Sequence, residues 1–148
     1  MSTFFAFLHH LAAFMLVAAL AVEFVLIRQE VTRSGAIRLL VTDAVFGASA
    51  TALLVIGLLR VFYFEKGAGY YFSSHAFLTK LSVFVVVAAL SVVPTIEFLS
   101  WRKAVKAGQA PSPTPAKLRL VRSIIHFELM GMVVILLAAA VMARGGWH

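Results

Sequence analysis

Two sets of side chains in this sequence have the types and spacing to do chemistry. The first is His9, His10, Arg60 and Lys80. Neutral imidazole ligates transition metals, the iron of a haem among them, and arginine or lysine nearby can neutralise the propionates of a porphyrin. The second is Glu23, Asp43, Glu97, His126 and Glu128. Carboxylates mixed with one imidazole suit a hard divalent metal or proton transfer along acids. No Ser, His and acid spacing suggests a nucleophilic triad, and no glycine-rich phosphate loop follows a strand, so hydrolase and nucleotide-binding chemistry are set aside.

Whatever positions these groups must do so in lipid. Of the 148 residues, 62% are hydrophobic, against about half in a soluble domain, and the mean hydropathy is +0.99. The net charge of +7 comes from basic residues in short loops between apolar runs, a pattern that sets membrane orientation and does not point to nucleic acid. With no cysteine there is no disulfide, thiolate metal site or iron–sulfur cluster, and any metal must be held by His, Asp, Glu or a prosthetic group. Ala19-Leu20-Ala21 resembles a signal cleavage site. The stretch lacks a basic leader and stays apolar beyond that point, so it is expected to be a retained helix.

The expected fold is all-α, a single transmembrane domain over 1–148 built as an integral membrane four-helix bundle. Its helices fall at about 3–27, 37–62, 76–101 and 120–143, each long enough to cross a hydrocarbon core of about 30 Å. Asp43, Arg60, Lys80 and Glu97 are then just inside the hydrocarbon. Residues 102–119 form a cytoplasmic loop whose Pro111, Pro113 and Pro115 favour extended backbone. Arg28, Arg33 and Arg38 flank one loop, and Arg102, Lys103, Lys106, Lys117, Arg119 and Arg122 the other. The opposite side carries only Arg60, Lys66, Lys80 and Arg144. Lys and Arg concentrate in cytoplasmic loops, so both termini are expected outside.

That orientation sorts the chemistry into two layers. His9, His10, Arg60 and Lys80 share an outer depth; Glu23, Asp43, Glu97, His126 and Glu128 share an inner one. His9, Leu16 and Glu23 recur every seven residues and fall on one helical face, whereas His10 points about 100° away. A second histidine for a haem on the outer side would have to be His75 or His148, with Lys80 the better placed alternative, because His126 is near the other face. The bland reading of the outer layer is solvated interface anchors. For the inner layer it is acids paired with Arg28, Arg38, Arg119 and Arg122. Asp43, Gly47, Ala50 and Gly57 make a stripe that lets another helix approach, within the bundle or across a homodimer. Around Gly67-Ala68-Gly69, the aromatics Tyr63, Phe64, Tyr70, Tyr71 and Phe72 are expected to anchor at headgroup level.

Phe7-Leu8-His9-His10-Leu11-Ala12-Ala13, Gly57-Leu58-Leu59-Arg60-Val61-Phe62, and Lys80-Leu81 running to Pro94-Thr95 and Trp101-Arg102 carry a resemblance. Over nearly the whole chain they resemble a bacterial family of four-helix membrane proteins, domain of unknown function 2214. More distantly the chain is similar to HemJ-type protoporphyrinogen oxidases and CopD-like membrane proteins, which place a histidine early in helix one and a lysine early in helix three. The HemJ resemblance implies a haem b held through His9 or His10 and Lys80. It departs late in helix three, where this chain has Pro94, Thr95 and Glu97. The expectation is a haem-binding redox protein of the bacterial inner membrane, acting in electron transfer or as an oxidase on quinone or porphyrin. The alternatives are a metal or proton transport component using the inner layer, and a non-catalytic support protein.

Overall fold

The structure, a computed structural model, describes residues 2–64, 69 and 75–144. Helix α1 is Ser2–Leu26 and α2 is Arg33–Leu59, the latter running into a π-helical turn, Arg60–Phe64. Helix α3 is His75–Ser100, α4 is the short Arg102–Lys106 and α5 is Pro115–Ala143. Four of these helices are long and apolar enough to cross a membrane, and no strand occurs among the described residues. The fold is the all-helical one expected. Tyr70, Tyr71, Phe72, Lys66 and His148 lie outside the described residues.

Capping, not hydrophobicity, decides where α2 and α5 begin. Thr32 has extended backbone and its hydroxyl accepts from Gly35 N–H at 3.0 Å, so α2 starts four residues before the expected 37. Thr114 does the same for Lys117 N–H at 3.2 Å. Pro115 then opens α5, where a missing N–H costs nothing. The expected loop 102–119 is therefore shorter, since α4 and the first turn of α5 occupy both its ends. Gly108, at φ +77°, turns the chain out of α4 in a conformation that glycine adopts without strain.

Helix α1 packs most extensively on α2, and α3 on α5; the two pairs join through α1 against α5 and, less extensively, α2 against α3. The core between them includes Leu16, Leu20, Ile27, Leu39, Phe46, Phe98 and Ile125, all buried. Phe14, Phe127 and Leu137 point outward. In a bilayer that outward surface needs no protein cover, because the surroundings are as apolar as the side chains.

The expected small-residue stripe on α2 splits. Gly47 has open space around it; the buried ridge is Ala36, Leu39, Asp43, Phe46 and Ser49. The close approach occurs instead at Gly131 of α5, where an added Cβ would meet Val87 Cγ2 at 2.6 Å and Val83 Cγ1 at 3.4 Å. Both neighbours are β-branched and stiff. Gly131→Val is therefore expected to lower stability by about 1–3 kcal/mol. Gly47→Ala should hold or raise it, by up to about 1 kcal/mol through helix propensity. Thermal unfolding in detergent, followed by circular dichroism, compares the two.

Candidate functional site

The heptad face of α1 turns inward as its spacing implies. Leu16 and Glu23 are each 1% exposed, and His9 is half-buried, with an Nδ1 that is buried and has no hydrogen-bond partner. Its ring lies against α2 at Gly57, where an added Cβ would come 3.4 Å from His9 Cε1. A larger residue at 57 would contest the space the imidazole occupies. Lys80, Arg60 and His10 are all within electrostatic reach of His9, and Lys80 and Arg60 of each other. Three elements thus deliver one imidazole and two cations to one place. The π-helical turn contributes here by starting at Arg60 and packing against both α1 and α2.

His10 differs in kind. It is exposed, and its Nδ1 is 2.7 Å from the Ala6 carbonyl oxygen. A carbonyl can only accept, so Nδ1 carries the hydrogen, and the neutral ring keeps its lone pair on Nε2. That is the tautomer of a metal-binding histidine, presented on the outside of the bundle. His75 lines a separate cavity of about 380 Å³ with Leu78, Thr79, Ser82 and Val83.

The inner set divides. Glu23 and Glu128 are each 1% exposed and Asp43 is 7% exposed. The Glu23, Asp43 and Glu128 side chains are within electrostatic reach of one another. Glu97 is elsewhere: its Oε1 accepts from Trp101 Nε1 at 3.1 Å, and its Oε2 is 4.0 Å from Lys117 Nζ. It borders a groove under the proline-rich segment, lined by Trp101, Pro111, Pro113 and Lys117 among others. His126 is exposed and lies over Phe24, ring centroids 6.2 Å apart. Among the described residues, no group of three His, Asp or Glu side chains is arranged to hold a metal ion.

The basic residues near the inner acids serve other groups. Arg28 lies over the Phe24 ring at 4.2 Å. Arg122 Nε donates to the Ile27 carbonyl oxygen at 2.8 Å, and Arg33 Nε to the Val105 carbonyl oxygen at 3.1 Å. A helix end leaves carbonyls unsatisfied, and a cation placed there answers both the hydrogen bond and the dipole. Sequence reasoning did not find this use of Arg122, because a carbonyl acceptor leaves no mark in side-chain types. Arg122→Ala is expected to lower stability by about 1.5–3 kcal/mol, the scale of a charge-assisted hydrogen bond. Arg119→Ala, on an exposed residue, should change it by less than about 0.5 kcal/mol; unfolding in the same detergent compares them.

Neither the curated proteins nor the solved structures include a match to this chain. One family model does match, over residues 1–146. Its breadth and the four spanning helices lead to one conclusion: this chain belongs to the family described as predicted membrane protein (DUF2214).

Proposed function

We propose that the protein is a haem b-binding redox protein of a bacterial cytoplasmic membrane, with His9 as an iron ligand and Lys80 and Arg60 serving the same group. The observation that carries the reading is the convergence of His9, Lys80 and Arg60 from separate elements, together with a buried His9 Nδ1 that no protein group satisfies. The donor set fits a porphyrin in kind. Imidazole supplies a ligand, Lys80 a second ligand or a propionate partner, and Arg60 a cation for a propionate. When bound, haem supplies one-electron transfer. The chain's own part is to hold the ligand ring against Gly57, to fix the cations near it, and to surround both with apolar helices that exclude water.

The Lys and Arg asymmetry between the two ends supports the expected orientation, with both termini outside and the proline-rich segment in the cytoplasm. The site would then be near the outer surface. A membrane-soluble donor or acceptor, a quinone or a porphyrinogen, would reach it through lipid. The similarity to HemJ-type and CopD-like proteins rests on the helix-one histidine and Lys80 alone. The outward Nε2 of His10 favours a second placement, a haem held on the outer face and shared across a homodimer.

The test is a visible spectrum of protein purified in mild detergent from haem-replete cells, oxidised and then reduced with dithionite. The reading predicts a Soret band with sharpened α and β bands on reduction, lost in His9→Ala and weakened or shifted in Lys80→Ala. Loss in His10→Ala alone would move the haem to the outer face. A colourless wild type that stays colourless when haem is added would overturn the proposal.

A further inference from the structure

The three buried carboxyls on α1, α2 and α5 stand apart from the outer site and need their own explanation. We infer that Glu23, Asp43 and Glu128 form a proton-binding site inside the bundle, one that exchanges its proton with water at the end carrying the basic loops. The inference does not depend on haem being bound.

Its geometry is specific. Glu23 and Asp43 are buried in the interior from neighbouring helices, each within electrostatic reach of the other. Two buried carboxyls that close share a hydrogen at far less cost than they hold two charges. Glu128 comes to this pair from a third helix, and its Oε1 is buried without a partner, as is Glu23 Oε1. Two acceptor atoms are thus left open beside a carboxyl pair. A third carboxyl within electrostatic reach of the pair is where a proton leaving it would go next.

The charged and titratable groups around the cluster leave protons as the means of compensation. From α1, Arg28 lies over Phe24. From α5, Arg122 is bound to the Ile27 carbonyl and His126 lies over Phe24. From α3, Glu97 is engaged with Trp101 and Lys117. From α2, Asp43 is itself a member. Burial and the neighbouring carboxyls, not a lysine or arginine, dominate the surroundings of Glu23 and Glu128. A metal ion is disfavoured as the compensating charge, because among the described residues no group of three such side chains is arranged to hold one. Three bare carboxylates in this setting would be prohibitively costly.

The route out is short. Glu23 is three residues from the last residue of α1, Leu26, about one helical turn. On release a carboxyl O–H bond breaks, the proton passes to water at the loop end, and the electron pair stays on a carboxylate shared among the three groups. On uptake the same bond re-forms from hydronium.

Infrared spectroscopy of the purified protein, with no haem added, tests this. At neutral pH the wild type should display the C=O stretch of a protonated carboxylic acid, and that band should shift in D2O. It should diminish in Glu23→Gln, Asp43→Asn and Glu128→Gln, and persist in Glu97→Gln. Circular dichroism identifies any variant that has lost its helices; the wild-type spectra decide independently of the variants. No protonated carboxyl band at neutral pH, a band that ignores D2O, or a band unchanged in all three cluster variants would each overturn the inference. A colourless protein that has the band sinks the haem reading alone, and a haem protein without the band sinks this one alone.

Discussion

The arrangement of this bundle turns on the burial of acids without bases. Glu23, Asp43 and Glu128 lie in the apolar interior, within electrostatic reach of one another. In a bilayer such groups cannot borrow solvent, so their charge must be removed or shared within the protein. An apolar residue of similar volume at any of these positions would fill the same space at no desolvation cost. Acids placed there are a departure from what packing alone would select, and departures of this kind concentrate at sites that do chemistry.

The arginines explain why the acids remain unneutralised. Arg122 and Arg33 are committed to carbonyls at helix ends, and Arg28 to an aromatic face. These contacts join α1 to α5 and α2 to α4 at the loop end, where a bundle with little hydrophobic drive between its helices needs polar connections. At the other end two cations come within electrostatic reach of His9, whose ring lies against Gly57. The two ends therefore differ in composition, with buried carboxyls at one and an imidazole with two cations at the other.

Much of this was legible in the sequence. Length and hydropathy gave the spanning helices. The seven-residue spacing of His9, Leu16 and Glu23 identified the inward face of α1 and turned His10 outward. Depth along the helices brought His9, Arg60 and Lys80 together. Depth alone, however, does not give direction around a helix. His126 is two residues from Glu128, about 200° around α5, so burial of Glu128 turns the imidazole out. Glu97 stands one turn before Trp101 and is drawn to its indole N–H. The bland expectation of acid–arginine pairs at the interface could not anticipate that the guanidinium groups would be taken by carbonyls. The Gly131 contact was missed because the glycine pattern on α2 suggested a packing stripe there, while the tight α3–α5 approach depends on one glycine facing two valines.

If the acids are kept for chemistry and not for cohesion, removing them should not weaken the fold. The decisive measurement is the thermal stability, in one detergent, of the triple variant Glu23→Met, Asp43→Leu, Glu128→Met against the wild type. The account predicts a variant that remains helical and is at least as stable as the wild type, because apolar residues of similar size need no compensation for buried polar groups. A clear loss of stability would contradict it, showing the three carboxyls to be structural contacts on which the bundle depends.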